Sequence, residues 1–273
     1  MRTVSATVYF YVSVQEKEET ENVVCCYCTY NIACSCILGS IYSFQEKVGW
    51  QMEQYGKNKG GFNVMELVEF NLKAGNRLLL DKVNIQFDKH VINHVMGGNG
   101  VGKSTFAKAC VGMHKYEGKI KGTDSAILIG SGSNVPAEFS IADIVKLLKK
   151  RFDTVRVDNL FELLKLSQVS GNLAIKKMSD GQKQKIKLLA FLSANPQVII
   201  LDEFTNALDK NSALDLYHFL SVYNKMHEVV IINITHNLSD LEYMEGKYYY
   251  IHNHKIDQIE SKKEIIEMYV KGE

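Results

Sequence analysis

A glycine-rich stretch of the chain carries the residue types that bind phosphate groups. It reads Gly97-Gly98-Asn99-Gly100-Val101-Gly102-Lys103-Ser104-Thr105, which fits the pattern Gly-x-x-x-x-Gly-Lys-Ser/Thr. Glycines let backbone N–H groups turn toward phosphate oxygens, and the N-terminus of a following helix adds partial positive charge. We expect Lys103 to reach the β- and γ-phosphates of a nucleoside triphosphate and the Ser104 hydroxyl to ligate Mg²⁺. The alternative is a glycine-rich turn that matches the pattern by chance.

Two adjacent acids, Asp202 and Glu203, follow an apolar run at 198–201. Such a run predicts a buried strand, and ligands of open α/β sheets bind at the carboxyl ends of the strands. We expect Asp202 to hold Mg²⁺, through water, and Glu203 to polarise an attacking water. The alternative is a strand that ends in a solvated acidic turn. The phosphate-binding pattern in the same chain favours the catalytic interpretation.

The elements that must position these residues alternate between strand and helix. The predicted strands are 68–71, 78–87, 91–96, 126–129, 197–201 and 229–234, followed by a hairpin at 248–252 and 255–259. The predicted helices begin after the glycine-rich stretch, within 140–168, after residue 182 and at residue 261. This alternation predicts an α/β architecture with a mainly parallel sheet.

The charge and the apolar runs argue against a nucleic-acid partner, a membrane-spanning helix and a signal peptide. The formal net charge is +1, so the chain has no general attraction to nucleic acid, and we expect no nucleic-acid partner. It contains no run of about eighteen apolar residues, which a membrane-spanning helix needs. The apolar run at 32–44 is short, is interrupted by polar residues and has no basic flank before it, so it does not predict a signal peptide.

The N-terminal segment differs in composition from the rest. Five of the six cysteines lie within residues 25–36, and their irregular spacing fits neither zinc knuckles nor a disulfide framework well. We expect residues 1–64 to be an extension outside the catalytic domain. One hypothesis is translated upstream sequence before a natural start at Met65, because codons for Lys59-Gly60-Gly61 can spell a ribosome-binding site. The alternative is a real small extension.

Three further motifs resemble one family. Met178-Ser179-Asp180-Gly181-Gln182 resembles the Leu-Ser-Gly-Gly-Gln signature of the ABC ATPases, and it precedes a helix-like run. The stretch at 205–209, directly after Glu203, resembles the D-loop of that family, and Asp209 is its last residue. Thr235-His236 resembles the switch histidine at the end of the next strand. The order and spacing match from about Met65 to the C-terminus.

The resemblance implies a P-loop NTPase fold with an ABC ATPase core. It implies a mainly parallel sheet, an N-terminal antiparallel β portion and a small helical subdomain at about 138–182, all within a domain at 65–273. It also implies ATP and Mg²⁺ as cofactors. Two such subunits, identical or different, form a dimer around two ATP molecules, and the signature of one caps the nucleotide of the other. Ser179, Gly181 and Gln182 are then nucleotide-binding residues, while Lys103, Glu203 and His236 are catalytic.

Some positions depart from the family pattern. The glutamine of the Q-loop is absent, and Ser131 takes its place in our alignment, with Asn134 as the other candidate. The aromatic residue that stacks on adenine is not obvious, since Ala74 falls near the expected position and Phe70 is the other candidate. Asp180 replaces a glycine of the signature, which adds negative charge near a phosphate.

The function that the resemblance implies is the ATP-binding and hydrolysing subunit of an ABC transporter, with the exporter type favoured. Its partner is then a separate integral membrane permease, and its location is cytoplasmic and peripheral on the inner face of the cell membrane. Two alternatives stay open. One is a soluble ABC ATPase outside transport, for example in iron–sulfur assembly, and the other is a weakly hydrolysing regulatory subunit.

Overall fold

The computed structural model describes residues 64–123 and 125–272. The predicted extension before Val64 and the cysteine-rich segment at 25–36 lie outside these residues. The described cysteine, Cys110, is buried and reduced, and burial raises the pKa of its thiol. Among the described helices, none combines the length and the apolar character that a bilayer crossing needs.

A three-stranded antiparallel sheet has the strand order β2-β1-β4. Its strands are β1 (Val64–Ala74), β2 (Arg77–Asp88) and β4 (Tyr116–Lys121). Strands β1 and β2 were predicted at 68–71 and 78–87, and both extend beyond the predicted ranges. Strand β4 was not predicted, because Ile120 is its one fully buried residue and polar side chains flank it. Backbone pairing with β1 makes this segment a strand.

The second sheet has six strands in the order β5-β6-β7-β3-β8-β9. They are β3 (Ile92–Gly97), β5 (Ala126–Ile129), β6 (Val198–Asp202), β7 (Val230–Ile234), β8 (Gly246–His252) and β9 (Lys255–Ile259). Every pairing from β5 to β8 is parallel, and β9 closes the edge as an antiparallel hairpin with β8. The α/β architecture with a mainly parallel sheet and an antiparallel β portion is therefore confirmed.

Seven α-helices occur in the described part of the chain. They are α1 (Lys103–Cys110), α2 (Ile141–Arg151), α3 (Thr154–Leu163), α4 (Asp180–Leu192), α5 (Lys210–Met226), α6 (Leu238–Tyr243) and α7 (Lys262–Lys271). Helices α2 and α3 lie within the range predicted for the helical subdomain, together with 3₁₀ turns at 166–168 and 175–177. A capping box between Ser140 and Asp143 starts α2. Helix α6, which has six residues, was not predicted.

Apolar side chains cover both faces of the six-stranded sheet. One core lies between this sheet and α2 to α5, and Leu189, Leu216 and Phe204 belong to it. The other lies between this sheet, α1 and the antiparallel sheet, and it contains Phe70 and Phe106. Because β3, β7 and β6 are adjacent and parallel, the chain segments that follow them emerge at one edge of the sheet.

Candidate functional site

The glycine-rich stretch forms the loop between β3 and α1. Gly102 has a φ of 109° at the N-cap of α1, and a Cβ there would lie 2.9 Å from Leu79 Cδ1, so both backbone and space require glycine. The Lys103 ammonium donates to the carbonyls of Gly97 at 2.8 Å and Gly98 at 2.9 Å. Burial lowers the pKa of Lys103, while Glu203 and Asp202 act to raise it. The lysine is therefore held over the loop, with both acids nearby.

Among the described residues, the N–H groups of the loop meet no competing acceptor. Within the part of the chain that the structure describes, neither a backbone nor a side-chain oxygen accepts a hydrogen bond from the N–H of residues 98–102. These groups precede the first turn of α1, whose partial positive charge favours an anion. The loop is thus suited to phosphate oxygens.

Ser104 and Asp202 form the candidate magnesium site. Burial raises the pKa of Asp202, and a hydrogen bond from the Ser104 hydroxyl lowers it. The Oδ1 atom of Asp202 is buried and has no hydrogen-bond partner among the described residues. Mg²⁺ is commonly held by one or two carboxylates, substrate phosphates and water. A serine hydroxyl beside an unpartnered carboxylate oxygen and a phosphate loop fits this donor set.

Glu203 and His236 lie together at the ends of β6 and β7. The distance between His236 Nδ1 and Glu203 Oε1 is 3.1 Å, and Asn206 Nδ2 donates to Glu203 Oε2 at 3.1 Å. Glu203 has a φ of 53°, a left-handed conformation that is uncommon outside glycine and asparagine. Its N–H donates to the Ile234 carbonyl at 2.9 Å. The side chains of Glu203 and His236 are 44% and 41% exposed, so water can reach the pair.

The signature residues build the N-terminus of α4. Ser179 is an exposed N-cap whose Oγ accepts from the Gln182 N–H at 3.2 Å, and the Gln182 side chain accepts from the Ser179 N–H at 3.1 Å. Gly181 is buried, and a Cβ there would lie 2.4 Å from Ser212 Oγ. No described hydrogen bond or ion pair joins these residues to the phosphate loop of the same chain. Asp180 pairs with Lys183 at 3.0 Å, which offsets its charge locally.

Asp209 caps α5 within its own chain. Its Oδ1 accepts from the N–H groups of Asn211 and Ser212, both at 3.1 Å, and its Oδ2 accepts from Ser212 Oγ at 2.6 Å. These hydrogen bonds, that of the Ser212 hydroxyl above all, lower the pKa of Asp209. The arrangement is a regular helix N-cap.

The segment that corresponds to the Q-loop packs against Asp202, the candidate metal ligand. A Cβ at Gly130 would lie 3.1 Å from the Asp202 carbonyl oxygen, and Ser133 Oγ donates to Leu128 O at 3.0 Å to close the turn. Ser131 and Asn134 are both exposed, so exposure does not separate the two candidates, and Ser131 stays preferred on the alignment alone.

The structure removes one of the two adenine candidates. Phe70 is fully buried, and its ring lies 6.1 Å from that of Phe106 and 5.2 Å from that of Tyr116. It is therefore a core residue that cannot stack on a base. Ala74 is exposed at the end of β1 but has no ring.

Several polar residues near the site were missed in the sequence. Asn206 was passed over although it lies one turn after Glu203. Asp240, Asn233 and His94 are fully or almost fully buried. The signal for His94 and Asn233 was available, because a polar side chain inside an apolar strand needs a buried partner.

The chain is similar in sequence or in fold to several known proteins. The family model described as ABC transporter matches residues 80–206. The chain is 40% identical over 210 residues to "Probable peptide export ATP-binding protein YydI" of Bacillus subtilis (strain 168), covering 76% of this chain and 99% of that protein. It is 31% identical to "Energy-coupling factor transporter ATP-binding protein EcfA1" of Mesomycoplasma hyopneumoniae (strain J), covering 60% of this chain and 68% of that protein. A solved nucleotide-free ATP-binding cassette from an ABC transporter has a TM-score of 0.62 at 18% identity, covering 76% of this chain and 94% of that one.

Proposed function

We propose that this chain, which belongs to the ABC transporter ATP-binding family and is an ABC ATPase, drives peptide export through a separate membrane permease. The observation that carries the hydrolytic part is the pairing of Glu203 with His236 at the edge of the sheet where the phosphate loop lies. The export part is supported by 40% identity along 99% of a relative whose name specifies peptide export.

The residues divide the chemistry among them. The loop N–H groups and the Lys103 ammonium bind the phosphates of ATP. Glu203 accepts a hydrogen bond from the attacking water and polarises it, and His236 holds the Glu203 carboxylate and contacts the γ-phosphate. Ser104 and Asp202 would hold Mg²⁺, which would supply charge neutralisation of the phosphates.

The functional unit that we propose is a dimer of ATP-binding subunits, identical or different. Ser179 is exposed at the N-terminus of α4, and that terminus favours an anion. The resemblance of this segment to the ABC ATPase signature supports a role in capping the nucleotide of the second subunit.

Two observations favour other functions. The 31% identity to a protein named as an energy-coupling factor subunit leaves import as the second candidate. Ser131, which stands where the family has a glutamine, favours a weakly hydrolysing regulatory subunit. The turnover number of the purified protein separates the regulatory candidate from the other two.

Purification from native membranes tests the transport proposal. The tagged full chain, extracted in detergent, is expected to retain an integral membrane protein in a fixed ratio, and inside-out vesicles that contain the complex are expected to accumulate a fluorescent peptide only with ATP and Mg²⁺. Accumulation in right-side-out vesicles would support import instead. A soluble protein as the sole stable partner would contradict transport.

A further inference from the structure

A chain of buried polar side chains lies beneath the catalytic segments. Its centre is Asp240 in α6, which is 0% exposed. Asp240 Oδ1 accepts hydrogen bonds from Thr205 Oγ1 and Tyr217 OH, both at 2.7 Å, and Asp240 Oδ2 accepts one from Asn233 Nδ2 at 3.1 Å. Three donors on one buried carboxylate compensate for its removal from water.

The chain continues from Asn233 to the strand that precedes the phosphate loop. Asn233 Nδ2 lies 3.3 Å from His94 Nδ1, and His94 Nε2 lies 2.8 Å from the Met244 carbonyl oxygen. Because a carbonyl oxygen only accepts, Nε2 carries the proton and Nδ1 accepts from Asn233. Burial lowers the pKa of His94 to about 4, so the ring is neutral at pH 7. The direction of every hydrogen bond from Met244 to Asp240 is thereby fixed.

Three members of this chain, Thr205, Asn233 and His94, lie close to a segment with a proposed role in hydrolysis. Thr205 follows Glu203 by two positions, and Asn233 precedes His236 by three. His94 is in β3, which leads into the phosphate loop. Tyr217 differs from the others, because it lies in α5 and joins Asp240 to a helix that carries none of the proposed catalytic residues.

We propose that Asp240 is a positioning residue for ATP hydrolysis. Through Thr205 it fixes the segment that carries Glu203, and through Asn233 it fixes the strand that leads to His236. Glu203 needs support on both sides, because its left-handed backbone persists only where its surroundings enforce it. The Ile234 carbonyl holds its N–H, and the hydrogen bond between Thr205 and Asp240 holds the chain after it. This inference rests on the proposed roles of Glu203 and His236.

A matched pair of variants tests the proposal. Thr205→Val and Tyr217→Phe each remove one hydroxyl donor from the same oxygen of Asp240, at the same distance, with little change of shape. Thr205→Val is expected to lower kcat for ATP by about tenfold or more, with KM within about twofold, because misplacement of a catalytic group costs mainly the chemical step. Tyr217→Phe is expected to leave kcat within about twofold of wild type. Urea unfolding midpoints should fall by similar amounts.

Equal kcat values in the two variants, whether both unchanged or both reduced, would overturn the proposal and leave Asp240 a structural residue. Asp240→Asn supplies a second measurement, since the one oxygen of an amide cannot accept both from Asn233 and from the two hydroxyls. We expect a larger loss of kcat, with binding of a fluorescent ATP analogue retained. If Asp240→Asn does not fold, the matched pair still decides. Failure of the underlying function looks different, because Glu203→Gln would then turn over ATP as wild type does.

Discussion

At the scale of single residues, the site centres on Glu203, whose neighbours hold its backbone in an unfavourable conformation. Glu203 bonds through its N–H to Ile234 and through its carboxylate to Asn206 and His236. The contacts with Ile234 and His236 cross from the turn after β6 to β7 and the segment that follows it, while the contact with Asn206 lies within the turn itself. The geometry of Glu203 therefore depends both on the pairing of β6 with β7 and on the turn after β6.

His94 gives a pH-dependent prediction. Its folded pKa of about 4 lies below the ordinary value of 6.5, so the unfolded chain binds the proton more readily. The free energy of unfolding that neutral His94 contributes is therefore present above about pH 6.5 and is lost as pH falls toward 4. Between pH 7.5 and 5.0, wild type should lose about 2 kcal/mol more than His94→Gln.

Urea unfolding at the two pH values measures this difference. The control is His218→Gln, because His218 is exposed in the native protein and contacts water in both states. We expect this control to keep the pH dependence of wild type. If His94→Gln also kept it, the assignment of a buried neutral imidazole would be wrong.

The sequence predicted the residues proposed to carry out the chemistry better than the residues that hold them in position. Lys103, Ser104, Asp202, Glu203 and His236 were named because their residue types follow strands or a glycine-rich loop in a known order. Asp240 and Asn206 were not named, since their partners are fixed only when β6, β7 and α6 pack together. Their residue types alone do not indicate which atoms they meet.

At the scale of elements, the signature helix and the segment after Glu203 are joined within one chain. Gln184 Nε2 in α4 donates to the Phe204 carbonyl at 3.1 Å. Gly181 lies so close to Ser212 in α5 that no Cβ fits between them. In the dimer that we propose, these contacts would couple movement of α4 to the residues that flank Glu203.

Gly181→Ala tests this close packing. The added Cβ would lie 2.4 Å from Ser212 Oγ and 2.6 Å from Ser212 Cβ, and overpacking of this kind typically costs about 1–3 kcal/mol of unfolding free energy. Adding Ser212→Gly should restore part of the loss, so the double variant should be more stable than the sum of the single changes predicts. Gly171→Ala is the control, since nothing lies within 4 Å of its added Cβ. Additive losses in urea unfolding would show that the two helices do not meet as described.

The strands with apolar, branched residues were predicted to within one or two positions, because burial on both faces leaves a clear pattern in β3, β5, β6 and β7. The elements that were not predicted are β4, α5 and α6. In β4 the polar residues obscure any alternation. In α6 the six residues are too few for a helical period, and tertiary contacts of Asp240 and Leu241 with the core define the helix.

At the scale of the whole molecule, the proposed function requires a second subunit. The exposed Ser179 and the half-exposed Glu203 and His236 lie on surfaces that a partner would cover. Glu203→Gln in the presence of ATP and Mg²⁺ is expected to elute at twice the monomer mass in light scattering, because closure proceeds and hydrolysis does not. Adding Ser179→Arg should return it to monomer.

The control for this experiment is Ser261→Arg, since Ser261 is also a helix N-cap whose Oγ accepts a backbone hydrogen bond, here from Glu264 at 3.2 Å. Both arginine variants lose a cap, and only the one at Ser179 is expected to lose the dimer. Loss of the dimer in both, or in neither, would contradict the proposed place of the signature.

The most direct test of the central claim is phosphate release by Glu203→Gln beside Glu228→Gln. Both changes replace one carboxylate oxygen by an amide, and Glu228 is 71% exposed in ion pairs with Lys89 and His90. We predict that Glu203→Gln lowers kcat for ATP by about a hundredfold or more while it still binds ATP, and that Glu228→Gln retains wild-type turnover. Wild-type turnover in Glu203→Gln would contradict the account.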